Sequence, residues 1–177
     1  MTHRERFIRT LKCEPIGGQV PTFELVFFLT MEAFGRIHPS QRHYGQWNQM
    51  SKTEQNLHIR DQADLYIKTA EKYGHSALFI HPNPGGFEWT QRLLEAIREQ
   101  SGDEYYIMMH GDVTHGMPDG ENLMDFCVAM AEEPEKLNDQ SERWLEANQE
   151  LARKLDDRGH LLDGFALCSD YCFNTNP

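Results

Sequence analysis

The chain has 177 residues, with 17 Lys and Arg against 28 Asp and Glu, so its formal charge is −11 before any histidine is counted. This acidic balance excludes a general binder of nucleic-acid backbones, which needs a surplus of Lys and Arg. A hydrophobic content of 39% and a charged content of 25% exclude a disordered or collagen-like chain. The length suits one domain, and we predict a single domain over residues 1–177.

No stretch of the sequence is apolar over the length of a membrane span. The longest apolar run, residues 25–29, is far shorter than the roughly 20 residues that a spanning helix needs. The charged N-terminus has neither the apolar segment nor the cleavage site of an export signal. The four cysteines are too few and too scattered for a secreted disulfide scaffold. We therefore expect a cytoplasmic protein that has no membrane partner.

The first predicted elements are a helix and a strand. Residues 2–12 place apolar side chains on one face, which is typical of a short amphipathic helix. Residues 20–26 are rich in β-branched and aromatic side chains and predict a strand. Glu24 is exceptional inside it, because a buried carboxylate without a partner is unfavourable. This residue either has a function or pairs with a structural arginine.

The middle of the chain repeats a helix followed by a strand. A capping box formed by Ser51 and Glu54 predicts the start of a helix, and Gly74 predicts its end. Apolar periodicity and glycine positions predict the remaining elements. These are a strand over 76–80, a helix ending near Gly102, a strand over 105–109, helices over about 121–131 and 134–159, and a strand over 164–168.

Strands that alternate with helices predict parallel β-α-β units and therefore an α/β fold. The sequence accommodates about four such units. Because only a few residues follow the last strand, too few for the helix that should cover it, we expect about half of an eight-stranded barrel. An open, doubly wound sheet of four strands is the structural alternative, and it leaves the last strand uncovered.

Short motifs lie at both ends of the chain. The opening HRERFIRTLK, at residues 3–12, is followed by Glu14-Pro15 and by Val20-Pro21, and residues 163–167 run into Ser169-Asp170. Together these segments resemble the start and the middle of the uroporphyrinogen decarboxylase superfamily. The resemblance implies that this chain is the N-terminal half of a (β/α)8 TIM barrel, expected to be inactive or weakly folded by itself.

The resemblance also implies an enzyme of one of two kinds. One is a cofactor-free porphyrinogen decarboxylase, a lyase that acts on a reduced porphyrin, and the other is a zinc-dependent methyltransferase that works with corrinoid proteins or thiols. The decarboxylases hold substrate carboxylates with an Arg-rich segment, where residues 27–42 of this chain offer only Arg36 and Arg42. They also present an Asp where this chain has His81-Pro82. The resemblance is therefore nearer to the methyltransferase-like members, whose zinc ligands usually lie in the second half of the barrel.

The carboxyl ends of the strands build the active site of such a barrel. From these positions we predict Glu24, His81, His110 and Asp170 as catalytic residues and Arg36, Arg42 and Asp112 as substrate-binding residues. Imidazole and thiolate groups together suit zinc, so His110, His115, Cys168 and Cys172 are the candidate metal ligands. A carboxylate beside a histidine also suits general acid–base catalysis. The simpler interpretations are that His81 fixes a turn and that the loop histidines are solvated.

Two classes of function follow from these patterns. The first is an enzyme whose partner is a small-molecule substrate or a corrinoid protein. The second is a non-enzymatic half-barrel that completes its sheet with a second copy or with a separately encoded C-terminal half, because an open strand edge is a template for pairing. The first requires ligand or metal binding that depends on Glu24, His81 and His110.

Overall fold

The computed structural model describes residues 1–116 and 118–167. In chain order its elements are α1 (His3–Leu11), α2 (Thr30–Phe34), 3-10 turns at Pro39–Gln41 and Trp47–Gln49, α3 (Lys52–Tyr73), β1 (Ala77–Ile80), α4 (Phe87–Ser101), β2 (Tyr106–His110), α5 (Leu123–Glu132), α6 (Pro134–Asp156) and β3 (Gly164–Ala166). The strands form one sheet in the order β1-β2-β3. β1 and β2 are parallel, with Ile80 opposite Met109. The predicted α/β class is confirmed.

The predicted helix starts are confirmed by their caps. The Ser51 hydroxyl accepts the backbone N–H of Glu54, and the Glu54 carboxylate accepts the backbone N–H of Ser51. Thr2 and Glu5 form the same reciprocal pair at the start of α1. α3 ends at Gly74, whose φ of 69° lies in the left-handed region that favours a residue without Cβ. Among the helices of the described ranges, none combines the length and the apolar character that crossing a membrane requires.

The prediction of a hydrogen-bonded strand over residues 20–26 is wrong. The segment is extended and lies beside β1, but it does not form a ladder with it. The Thr22 carbonyl accepts the N–H of Ser76 at 2.7 Å, and the Leu25 carbonyl is 2.7 Å from the ring Nε2 of His81. Because the second of these bonds uses a side chain, the regular series of backbone bonds that defines a parallel pair is missing.

The described residues fall into two compact bodies. The first body comprises residues 1–109 and 155–164, and the second comprises residues 110–154 and 165–167. In the first body α3 packs against both β1 and α4, and α1 contacts β1. Its core contains fully or nearly fully buried aliphatic side chains, among them Leu65, Ile80, Leu94, Ile97 and Ile107. The single domain over residues 1–177 stays a prediction.

A buried carboxylate joins several elements at the amino ends of the strands. Asp163, whose side chain is 4% exposed, directly precedes β3. Its Oδ1 accepts two hydrogen bonds from Arg4, at 2.6 and 2.9 Å, and its Oδ2 accepts from Arg98 at 2.7 Å and from the N–H of Ile107 at 2.8 Å. Burial alone raises the pKa of Asp163, but these hydrogen bonds hold the pKa below its usual value. The carboxylate therefore fixes how α1, α4 and β2 meet.

Candidate functional site

The residue that follows β1, His81, is held at three points. Its backbone N–H donates to the phenol oxygen of Tyr66 at 3.0 Å, and the Tyr66 O–H donates to its carbonyl at 3.4 Å. Its ring Nε2 is 2.7 Å from the Leu25 carbonyl. Since a carbonyl can only accept, Nε2 carries the proton, and in the neutral ring Nδ1 carries the lone pair. His81 therefore has a defined orientation and tautomer at the carboxyl end of β1.

A second histidine, His38, lies against this one, although its sequence position did not indicate a site. Its buried ring meets the rings of His81 and Tyr66 edge-on, with centroids 6.0 and 5.6 Å apart. Its Nδ1 accepts the backbone N–H of Ser40 at 3.3 Å and is 2.8 Å from the Ser40 hydroxyl oxygen. His38 is thus the N-cap of the 3-10 turn Pro39–Gln41.

The proton state of His38 follows from its surroundings. Burial lowers the pKa of His38 to about 4, and the charge of Arg42 and a proton on the His81 ring act in the same direction. The ring is therefore neutral at pH 7. Because its Nδ1 accepts a hydrogen bond from Ser40, the single proton lies on Nε2.

Amide side chains fix the loop that follows β1. Asn83 donates from Nδ2 to the carbonyls of Pro39 at 2.6 Å and Arg42 at 2.8 Å. The Asn83 carbonyl accepts from Nε2 of Gln62, a side chain of α3 that is 1% exposed, at 2.7 Å. The loop is therefore attached both to residues 39–42 and to α3. We call His38, Tyr66, His81 and Asn83 the strand-end cluster.

A small and mostly apolar cavity, whose polar lining includes His38, His75 and Glu24, lies beside the strand-end cluster. Its volume of about 20 Å³ is enough for a single water molecule, which needs about 10–15 Å³, and too small for an organic substrate. Glu24 is exposed, so the expectation that it is buried within a strand is wrong. Burial lowers the pKa of His75, and the Glu24 carboxylate opposes this shift. The structure thus places Glu24 at the cavity, and a catalytic role for it stays a prediction.

The two arginines predicted to bind substrate both pair with α3. Arg36 lies 2.9 Å from Asp61 and 2.8 Å from Asp64, and Arg42 lies 2.5 Å from Asp61. Partial burial alone raises the pKa of Asp61, but the hydrogen bonds from both arginines hold the pKa below its usual value. Substrate binding by Arg36 and Arg42 stays a prediction, and a bound carboxylate would compete with these aspartates.

The second body contains two of the predicted histidines. His110 donates from Nδ1 to Asp112 at 2.9 Å, and both side chains are partly exposed. His115 donates from Nε2 to the Leu137 carbonyl at 3.0 Å, and its ring lies against aromatic rings of α5 and α6. The structure therefore brings His110 and Asp112 together and anchors His115 to α6.

The predicted zinc ligands do not form a site within the described ranges. No group of three or more His, Cys, Asp or Glu side chains in residues 1–116 and 118–167 is arranged to hold a metal ion. Cys168, Asp170 and Cys172 lie outside the described residues. The zinc site and the catalytic role of Asp170 stay predictions.

Comparisons of the chain with family models, with curated proteins and with solved structures found no match. A functional assignment therefore rests on the fold and on the strand-end cluster. Sequence periodicity predicts that Tyr66 faces the core, but it does not indicate that its hydroxyl reaches the end of β1. His38 carries a weak signal, since it directly precedes Pro39 at the start of a turn.

Proposed function

We propose that the chain is the N-terminal half of a uroporphyrinogen decarboxylase-like barrel, nearer to the methyltransferase-like members, with its site at the carboxyl ends of the strands. The order of the sheet carries this proposal. β1, β2 and β3 follow one another in space as they do in sequence, and residues 20–26 bond to the residues on either side of β1. A barrel has this order, whereas a doubly wound sheet reverses its order at a switch point. The sequential order therefore favours the barrel.

The residue that follows β1 supports a site at the carboxyl end of this strand. His81 comes directly after Ile80, the last residue of β1. Residues at this position of a barrel strand are the ones that usually carry catalysis. The Leu25 carbonyl keeps the single ring proton of neutral His81 on Nε2. Nδ1 is therefore the ring nitrogen that would accept a proton from a bound thiol.

The pairing of Arg36 and Arg42 favours the methyltransferase branch. A porphyrinogen decarboxylase needs free cationic groups for several substrate carboxylates, and here both guanidinium groups contact Asp61. The formal charge of −11 also repels a polyanion. The partners of a methyltransferase, a corrinoid protein that gives the methyl group and a thiol that accepts it, fit this charge balance better.

Binding of two probes to the full chain tests the proposal. We expect methylcobalamin, followed by its absorbance, to bind more tightly than coproporphyrin, a tetracarboxylate. His81→Gln should weaken methylcobalamin binding at least about tenfold, the equivalent of one lost polar contact of about 1.4 kcal/mol. His43→Gln alters an exposed histidine of the same body and should leave the affinity unchanged. The proposal would be contradicted if coproporphyrin bound more tightly than methylcobalamin, or if His81→Gln left the affinity for methylcobalamin unchanged.

The second candidate function is the half-barrel that pairs with another chain. Residues 20–31 favour it, because large apolar side chains there are exposed, including Val20 at 69% and Phe28 at 63%. Apolar surface of this kind marks interaction sites. Light scattering of the full chain should then show a discrete dimer that Phe28→Glu dissociates. A monomer that binds methylcobalamin would instead favour the enzyme.

A further inference from the structure

We propose that His38 is a positioning residue, whose ring nitrogen Nδ1 fixes the turn and the loop that place His81 at the end of β1. This inference rests on the proposed function in one respect only, that His81 belongs to the site. His38 was not among the residues predicted from the sequence. Its influence on His81 runs along two routes, one through hydrogen bonds and one through direct ring contact.

The hydrogen-bonded route starts at the 3-10 turn. Nδ1 of His38 accepts the N–H of Ser40, which holds the turn closed. The closed turn presents the carbonyls of Pro39 and Arg42, and both accept hydrogen bonds from Asn83. Asn83 lies two residues after His81 in the same loop. Loss of the acceptor at His38 would therefore loosen, in turn, the two carbonyls, the Asn83 amide and His81.

The direct route is the packing of three rings. His38 meets both His81 and Tyr66 edge-on, and Tyr66 makes two hydrogen bonds with the backbone of His81. Tyr66 is buried, and burial raises the pKa of its phenol, so the hydroxyl keeps the proton it donates. A ring at position 38 therefore packs against both the His81 ring and the tyrosine that binds the His81 backbone, as long as the turn keeps the His38 ring in place.

The surroundings of His38 keep its ring neutral at pH 7. The groups that face His38 are Tyr66 from α3, His81 from the end of β1 and Arg42 from its own segment, with Glu24 and His75 at the adjoining cavity. Burial opposes a proton on His38, and the charge of Arg42 and a proton on the His81 ring act in the same direction, in agreement with the His38 pKa of about 4. His38 therefore remains a hydrogen-bond acceptor at neutral pH.

Matched substitutions at position 38 test this role. Asn places an amide oxygen near the position of Nδ1 and is a favoured N-cap, whereas Gln places its amide one carbon further out. Both remove the ring, so a difference between His38→Asn and His38→Gln reports on Nδ1 alone. His38→Phe keeps a ring and removes the acceptor. The measurements, on the full chain by NMR, are the pH titration of the His81 ring and the hydrogen exchange of the Asn83 side-chain amide.

We expect His38→Asn to keep the slow exchange of the Asn83 amide. His38→Gln and His38→Phe should accelerate this exchange about tenfold, the factor that corresponds to loss of one capping bond of about 1.4 kcal/mol. They should also displace the His81 titration midpoint. Asn83→Ala removes the next group along the hydrogen-bonded route and should displace the His81 midpoint in the same direction. If the Gln and Phe variants do not fold, this variant tests the positioning role of His38 in their place.

The inference is overturned if a folded His38→Gln or Asn83→Ala variant leaves the His81 titration unchanged, or if Asn disturbs Asn83 as much as Gln does. These readouts involve no ligand. Failure of methylcobalamin to bind would therefore count against the proposed function and leave the positioning role standing, whereas an undisturbed His81 would remove the positioning role alone.

Discussion

At the amino ends of its strands the first body buries a carboxylate between two arginines, whereas at the carboxyl end of β1 it buries a histidine beside another histidine. Asp163 is neutralised by Arg4 and Arg98, and each of its oxygens accepts two hydrogen bonds. In the described residues His38 hydrogen-bonds with Ser40 and not with a carboxylate, and its ring is neutral instead. The first arrangement stabilises an ion, and the second avoids one.

The pKa is lowered at both places, but the consequence differs in sign. A lowered pKa in Asp163 means that folding favours the charged form, so the fold is stabilised at neutral pH. A lowered pKa in His38 means that folding favours the neutral form, so the fold is destabilised in acid. The amino end is thus arranged for stability, and the carboxyl end keeps a buried neutral histidine that weakens the fold in acid.

The largest expected effect is at the amino end. Asp163→Asn removes the charge but keeps the shape, so Arg4 and Arg98 lose the partner that compensates their partial burial. Removing one member of a buried ion pair typically lowers the free energy of unfolding by about 3–5 kcal/mol. Urea denaturation at pH 7 measures this loss. Asp103→Asn is the control, because Asp103 is 83% exposed and lies 3.7 Å from the same Arg98. Equal, small losses in both variants would contradict the assigned role of Asp163.

The next effect is the acid sensitivity of the carboxyl end. The unfolded chain protonates His38 near its ordinary pKa of 6.5, but the folded chain does so only near 4. Stability from this group is therefore complete above pH 6.5 and is lost as the pH falls to about 4, by about 3 kcal/mol at roughly 1.4 kcal/mol per pH unit.

His38→Asn should remove this loss, because Asn retains the cap and does not titrate. Urea denaturation of wild type and variant at pH 7 and pH 4.5 isolates the effect, since all other titrating groups are shared. His43→Asn, at an exposed position, should keep the acid sensitivity of the wild type. A parallel decline of the His38→Asn variant and the wild type would show that His38 accepts a proton readily in the folded state.

The smallest effect sharpens the description of the amino end. A Cβ on Gly164 would lie against the Tyr106 hydroxyl, closer than real Cβ contacts allow, and that hydroxyl donates to the Asp163 carbonyl at 3.1 Å. Gly164→Ala should therefore lower the free energy of unfolding by about 1–3 kcal/mol, as overpacking does. In the Tyr106→Phe background the loss from Gly164→Ala should be smaller, because the clashing oxygen is gone.

A double-mutant cycle by urea denaturation measures this coupling. Gly45→Ala is the control, since nothing lies within 4 Å of a Cβ there, and it should not destabilise the chain. Losses from Gly164→Ala and Tyr106→Phe that simply add would rule out the expected clash.

Much of the local structure follows from the sequence alone. The capping boxes at Thr2 and Ser51 and the glycine at position 74 set helix ends, because the donors, acceptors and backbone freedom they need lie within a few residues. The apolar runs at 76–80 and 105–109 predict strands, and the structure forms β1 and β2 there within one residue of the predicted ends. Their alternation with helices determined the α/β class.

The sequence also located His81 directly after a strand and His110 at the end of one, because position along the chain is enough to place a residue at a strand end. It did not reveal what each side chain contacts. Arg36 and Arg42 were predicted to face substrate, and their pairing with Asp61 depends on how residues 36–42 pack against α3.

Only the tertiary structure decided that residues 20–26 lie beside β1 without a ladder, and that His38 and Tyr66 meet at His81. His38 and His81 are far apart in the chain, so no local pattern encodes their contact. The stability of such a contact comes from burial and from hydrogen bonds completed by other elements, here the turn Pro39–Gln41 and α3. Local periodicity determines which elements form, and packing between distant elements determines which polar groups share a site.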